Sequence, residues 1–246
     1  MHKITFSAFL LLFFYLVGLP HAIYAIEIEV PSRFISYVVD PSKKQLAFYW
    51  RDKEEQPYQS FKNLKSILEK QNKTLVFAMN GGIFQEDYTP LGLFIEKGIV
   101  KRRLNSRQDA YGNFYIQPNG IFYIDKTGRA LIISAENFRH NASIEYATQS
   151  GPMLLVDGNI NPKLRKGSTN FRIRNGVGLL PDGRLLFAIS KGFINFYDFA
   201  DYFKRKGCLN SLYLDGTVSQ IYLESSKRRI PAGSVGVIIA ETLGVK

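Results

Sequence analysis

The sequence predicts an α+β fold: a mixed, hairpin-rich β-sheet core with a few packing helices, in a single domain. Three observations carry that reading. Apolar runs fold back around Asp/Gly turn signals at three places, two segments repeat apolar residues at helical spacing behind a capping residue, and no linker, internal repeat or low-complexity stretch divides the chain.

A helix is expected from Phe61 to about Asn72, where Ser60 supplies the N-cap and Phe61, Leu64, Ile67 and Leu68 share one face. Next, Leu75-Val76-Phe77-Ala78-Met79 reads as a strand that stops on Asn80-Gly81-Gly82. Hairpins are expected over Phe122 to Ile133 around Asp125 and Gly128, Met153 to Ile160 around Asp157-Gly158, and Leu179 to Phe187 around Asp182-Gly183. These aspartates are turn formers first. Between them Phe171-Arg172-Ile173-Arg174 reads as a second strand, ending on Asn175-Gly176. A second helix is expected from Phe196 to Lys206, capped by Asn195, with Asp198 in its first turn and Gly207 at its end. Its stripe of Phe196, Phe199, Ala200 and Phe203 is core material. A third strand, Ser211 to Leu214, runs into Asp215-Gly216, which by pattern alone reads as one more hairpin turn.

Residues 1–25 read as an address rather than as part of the fold. Lys3 supplies a positive start, Phe6 to Val17 an apolar run too short for a comfortable membrane span, and Ala25 a cleavage point. We therefore expect a signal peptide over 1–25, one domain over 26–246, and export to the periplasm or cell surface. Removing 25 of the 246 residues leaves 221, enough to bury a core without disulfides. Cys208, the only cysteine, packs as a small apolar residue. The leader also takes His2 and His21, so His140 is the one histidine that remains, which rules out a zinc site built on several imidazoles or thiolates. Glu136 and His140, four apart, could share a helix face but make only a half-site.

The formal charge of +11 points to anionic partners. Runs such as Lys101-Arg102-Arg103, Lys204-Arg205-Lys206 and Lys227-Arg228-Arg229 come without a helix-turn-helix, zinc-finger or RNP-like motif. Nucleic acid is therefore not the expected partner; an anionic glycan is, with peripheral contact to an anionic membrane surface. At the three strand ends, an Asn, an Arg pair and an Asp would suit an anionic, hydroxyl-rich ligand. Glycine beside each would let the backbone turn or a ligand approach. Arg172 and Arg174, two apart, would point to one face of a strand, which makes a phosphate clamp if that face is a cleft and ordinary solubilising charge if it is open surface.

In order along the chain, Ala78-Met79-Asn80-Gly81-Gly82-Ile83-Phe84, Gln149-Ser150-Gly151-Pro152-Met153-Leu154, Arg172-Ile173-Arg174-Asn175-Gly176-Val177-Gly178 and Cys208 through Leu214-Asp215-Gly216 resemble the phosphodiester glycosidase domain family, the family of the mannose 6-phosphate uncovering enzyme. The resemblance makes residues 26–246 a phosphodiester glycosidase-like domain. The stretches Asn113 to Gly120 and Asn195 to Ala200 are most similar to the family's short exported bacterial branch. Asp215-Gly216-Thr217-Val218-Ser219 stands where the family commonly carries Asp-Gly-Gly-Gly-Ser, which narrows the pocket floor.

The resemblance implies an exported hydrolase that cleaves a sugar-1-phosphodiester on a phosphorylated carbohydrate. Its leaving group, a phosphate monoester, is a weak base, so one carboxylate can suffice where ordinary glycosidases pair two. On that reading Asp215 is the nucleophile or the base for water, Arg174, with Arg172 if it faces the cleft, neutralises the departing phosphate, and Asn80 with the Gly81 and Gly82 amides orients substrate sugar or phosphate oxygens. Ser150, Asn175, Gly216, Thr217 and Ser219 complete the substrate-binding set. Glu86, Asp87 and Glu136 are the candidates for a second carboxylate. No cofactor is required; a divalent cation such as calcium, held by Asp215 and backbone carbonyls, is the open alternative. The competing classes are a non-catalytic phosphoglycan-binding module and an envelope assembly protein.

Overall fold

Fifteen strands and two helices form among residues 32–216, 218–226 and 233–244, which the computed structural model describes; the expected signal peptide over 1–25, Thr217 and the Lys227-Arg228-Arg229 run lie outside these residues. In chain order come β1 (Phe34–Val39), β2 (Leu46–Tyr49), α1 (Phe61–Lys70), β3 (Lys73–Asn80), β4 (Phe94–Glu96), β5 (Ile99–Arg102), β6 (Gly120–Asp125), β7 (Ala130–Ser134), β8 (Ile144–Ser150), β9 (Met153–Val156) and β10 (Asn159–Ile160). They are followed by β11 (Asn175–Leu179), β12 (Leu185–Ser190), α2 (Phe196–Arg205), β13 (Asn210–Asp215), β14 (Ile221–Leu223) and β15 (Ile238–Gly244). This is the α+β, hairpin-rich architecture that the sequence predicts.

The strands make three antiparallel sheets, ordered β1-β12-β11-β13-β9-β10, β14-β3-β15-β2 and β5-β4-β8-β6-β7. All three expected hairpins form. Asp157 and Gly158 take φ of 48° and 78°, the type I′ signature, and Gly183 turns the third at 85°. The inner faces of the sheets share one core, in which the tilted rings of Phe77 and Phe187 lie 4.9 Å apart and those of Phe48 and Phe122 5.2 Å apart.

Each helix covers an outer face. On α1, Ser60 accepts the Asn63 N–H at 3.1 Å, and Phe61, Leu64 and Leu68 pack on Leu75, Ala78, Ile238 and Ala240. On α2, Asn195 accepts the Asp198 N–H at 2.8 Å, and Phe199 and Phe203 cover Leu154, Leu155 and Tyr213. Cys208 is buried in that layer, where loss of water pushes its thiol up to about 12.

Three local expectations are corrected. The segment Phe171 to Arg174 is not a strand: Arg172 pairs only with Ile194 across an isolated bridge, and Asn175 begins β11 rather than ending a strand. Glu136 and His140 lie in a turn and loop after β7, both exposed, so no helix face joins them. Asp215-Gly216 is not a hairpin turn either. β13 and β14 belong to different sheets, and β14 pairs with β3, so the chain crosses between sheets directly after Asp215.

Candidate active site

That crossing builds the site. Alternation along β13 turns Leu212 and Leu214 into the shared core and Tyr213 and Asp215 to the opposite face. There Tyr213, Asp215 and Gly216 line a cavity of about 330 Å³ together with Ile83, Leu91, the Tyr111–Tyr115 segment, Arg172 and Val218. Of the described lining residues, Asp215 is the only carboxylate and Arg172 the only cation.

Asp215 is 7% exposed and held on every side. Its Oδ1 accepts the Gly216 N–H at 2.6 Å and its Oδ2 accepts Asn80 Nδ2 at 3.0 Å. Its own N–H donates to Asn175 Oδ1 at 2.7 Å, and Asn175 Nδ2 donates to the Asn80 carbonyl at 3.1 Å. Two buried carboxamides, one from each sheet, therefore fix the aspartate at the seam. Burial pushes its carboxyl up to about 7, although the Gly216 and Asn80 hydrogen bonds oppose the shift.

Asn80 is fully engaged in this scaffold. Its Oδ1 takes the Gln220 N–H at 2.7 Å, and its Nδ2 also donates to the Val218 carbonyl at 3.1 Å. Ser219 closes the same turn, its hydroxyl donating to the Asp215 carbonyl at 2.9 Å. Gly216 is glycine because a Cβ there would collide with the Tyr213 hydroxyl. Gly81 and Gly82 have the same kind of reason in their packing: a Cβ on Gly81 would meet Val237 at 2.6 Å, and one on Gly82 the Thr148 hydroxyl at 2.9 Å. The Gly81 N–H is spent on the Val237 carbonyl at 2.8 Å. Ser150 is buried with its hydroxyl donating to the Leu214 carbonyl at 2.9 Å, which braces β13 from behind.

The two arginines separate. Arg172 is exposed at the cavity edge, whereas Arg174 is 0% exposed and stands behind the wall. Its Nε donates to the Ile194 carbonyl at 2.9 Å and its Nη2 to the Asn170 carbonyl at 2.7 Å, and its guanidinium lies 3.5 Å from the centre of the Phe196 ring. No described carboxylate pairs with it. The charge reaches the cavity through Tyr213, whose ring centre is 5.5 Å away. Burial and then the Asp215 charge raise the Tyr213 phenol, and Arg174 opposes this, so the hydroxyl keeps its proton and remains a donor.

None of the candidate second carboxylates reaches Asp215. Glu86, Asp87 and Glu136 are exposed, and Asp87 caps its own turn by accepting the Thr89 N–H and hydroxyl at 3.0 and 2.8 Å. A calcium-like cation would find a thin donor set here, since Asn80 turns its Nδ2 rather than its Oδ1 to Asp215, and the described residues hold no group of three or more His, Cys, Asp or Glu that could hold a metal ion. Sequence reasoning missed Tyr213 as a site residue. The signal was present in its two-residue spacing from Asp215 on a strand.

A phosphodiester glycosidase family model matches residues 73–237, which span β3, β11 and β13. A curated relative, the uncharacterised protein YigE of Escherichia coli, is 40% identical over 192 residues, covering 77% of this chain and 74% of its own length. Among solved structures, the catalytic domain of zebrafish N-acetylglucosamine-1-phosphodiester alpha-N-acetylglucosaminidase, auto-inhibited by its pro-peptide, superposes with a TM-score of 0.60 at 15% identity, covering 85% of this chain and 83% of that one. A hypothetical protein from Synechocystis gives 0.54 at 13% identity over 85% of this chain and 59% of that one. These likenesses carry the fold, and the family match carries the membership: the chain belongs to the phosphodiester glycosidase family.

Proposed function

We propose that the protein is an exported hydrolase that splits a sugar-1-phosphodiester between the anomeric carbon and the phosphate oxygen. The observation that carries this reading is Asp215, a lone carboxylate braced at the cavity floor and pushed up to about 7, with Arg172 at the cavity edge. A carboxylate with that affinity for protons suits a general base near neutral pH better than a nucleophile. Water attacks the anomeric carbon, Asp215 takes its proton, and the electrons of the breaking C–O bond leave with the phosphate monoester. The products are a free sugar and a phosphomonoester.

Arg172 neutralises the phosphate from the cavity edge. Tyr213 donates its hydroxyl to a phosphate oxygen, and Arg174 holds Tyr213 from behind as a positioning residue that also keeps positive charge beneath it. Tyr111 and Tyr115 offer faces to a sugar ring or aglycone. The phosphorylated carbohydrate as substrate follows the family, and the leader over 1–25 with the net charge supports a location in the periplasm or at the cell surface.

The test is a panel of sugar-1-phosphodiesters assayed for phosphomonoester release by wild type and by Asp215→Asn, with proton NMR of the first sugar formed. Single displacement by water predicts inversion at the anomeric carbon. Retention would replace the base with a covalent intermediate, and binding without turnover across the whole panel would leave a phosphoglycan-binding module.

A further inference from the structure

Leu91 lines the Asp215 cavity and also an adjoining hollow of about 490 Å³, whose remaining wall is the run from Lys101 to Arg107. A third hollow of about 280 Å³ shares Leu104 to Arg107 and adds Gln117, Asn119 and Arg139. A second link joins the run to the cavity side. The Arg107 guanidinium lies 5.8 Å from the centre of the Tyr115 ring, and Tyr115 lines the Asp215 cavity.

The run is built, not merely exposed. Gln149, 1% exposed, accepts the Asn105 N–H at 2.9 Å and donates to the Asn105 carbonyl at 2.8 Å, and Asn105 Nδ2 donates to the Leu91 carbonyl at 3.0 Å. Arg107 is tied in turn through its N–H to Asn105 Oδ1 at 3.1 Å. A buried glutamine on β8 thus fixes the backbone that presents the arginines.

The charge on this run is uncompensated. Lys101 is held by Glu55 at 3.1 Å, but no described carboxylate pairs with Arg102, Arg103 or Arg107. Asp109 lines none of the three hollows, and Glu136 is the one carboxylate bordering the third. Arg102, Arg103 and Arg107 all line one hollow, and phosphate is the anion that the guanidinium fork suits. A substrate with one phosphate is served by Arg172 at the cavity. Further arginines in line have work only if the substrate carries further phosphates.

We propose that Arg102, Arg103 and Arg107 form an extended subsite for a linear polymer of repeating phosphodiesters, one end of which enters the Asp215 cavity. The proposal rests on the glycosidase reading for the chemistry but not for the binding. Continuity with a sugar-hydrolysing cavity favours a glycan-type polymer over nucleic acid.

The probe is fluorescently labelled poly(glycerol phosphate), with anisotropy measured across a salt series for wild type and for Arg102→Gln/Arg103→Gln/Arg107→Gln. Counterion release predicts a log–log salt slope shallower by about 2 in the triple variant, at about 0.7 for each phosphate that an arginine no longer neutralises. Hydrolysis of a single sugar-1-phosphodiester should stay within about twofold of wild type, because its one phosphate is gripped elsewhere. An unchanged slope, no binding of the polymer by wild type, or competition by single-stranded DNA of equal charge as strong as by unlabelled polymer would each overturn the subsite. Wild type that binds the polymer with the expected slope but turns over no diester would remove the glycosidase reading and leave the subsite standing.

Discussion

Asp182-Gly183 and Asp215-Gly216 are the same dipeptide at the end of the same kind of apolar run, and they do opposite things. Asp182 sits at a hairpin tip in water, where hydrogen bonds from the Arg184 backbone N–H and side chain hold its carboxyl below the ordinary carboxylate range. Asp215 is buried at a seam between two sheets, and burial pushes its carboxyl up to about 7. What differs is where the chain goes next. After Asp182 it returns as β12 beside β11, whereas after Asp215 it leaves for β14 beside β3. A turn that closes on its own strand exposes its aspartate, and a turn that joins two sheets buries it among the ends of both.

The largest expected difference is in catalysis. Asp215→Asn should lower release of phosphomonoester from a sugar-1-phosphodiester by about a hundred- to ten-thousandfold, the range of a lost general base. Asp182→Asn should leave the same rate unchanged. Comparable losses in the two variants would show that the assay reads global damage, and an active Asp215→Asn would take this residue out of the chemistry.

The next difference is in pH dependence. A base titrating at about 7 gives kcat/KM an acid limb falling below that pH. Stability moves in the opposite direction. The folded carboxyl binds its proton more tightly than the unfolded one, so its favourable contribution is complete below the unfolded value near 3.8 and is lost as pH rises through 7. The span is on the order of 4 kcal/mol at 1.36 kcal/mol per unit. Glu96, also pushed up to about 7 by burial, adds a similar slope in every variant. The informative quantity is therefore the stability of wild type minus that of Asp215→Asn by denaturant melts. It should shrink between pH 4 and pH 8, and a constant difference would mean that Asp215 titrates normally.

A smaller effect is expected at Asn175, which touches no cavity surface yet joins the Asp215 N–H to the Asn80 carbonyl. Asn175→Ala leaves both groups buried without their partner and should cost about 1–3 kcal/mol per unsatisfied group. Its kinetic signature should be a fall in kcat with KM little changed, since the substrate meets Asp215 and not Asn175. A pure KM effect would place Asn175 against the substrate instead.

Most of the fold was legible because its signals are local. Ser60 and Asn195 cap their helices, and Asp157-Gly158 and Asp182-Gly183 turn their hairpins, each within a few residues of the pattern that announces it. The pairing of Asn80 with Asp215 was legible only as parallel strand endings, because the hydrogen bond between them spans 135 residues. The split of Arg172 from Arg174 was not legible. A period of two holds only where a strand exists, and the segment carries an isolated bridge in place of one. The glycines misled for a related reason: a Gly records that space is taken, not by whom, and at Gly81 the occupants are Val237 and Ile239.

The smallest contrast lies in the glycines that follow Asp182 and Asp215. Gly183 has φ of 85° and open space where a Cβ would sit, so Gly183→Ala should cost about 1 kcal/mol of left-handed strain and leave activity alone. Gly216 has no such backbone demand, and its missing Cβ makes room for the Tyr213 hydroxyl. Gly216→Ala should therefore act on that hydroxyl, displacing it from its place at the cavity wall and lowering kcat, while a Tyr213→Phe background, with the hydroxyl removed, should accept the alanine at little further loss. That non-additivity separates two roles for Gly216: additive losses would make it a backbone residue like Gly183, and coupled losses would tie Gly216 and the Tyr213 hydroxyl into one catalytic wall.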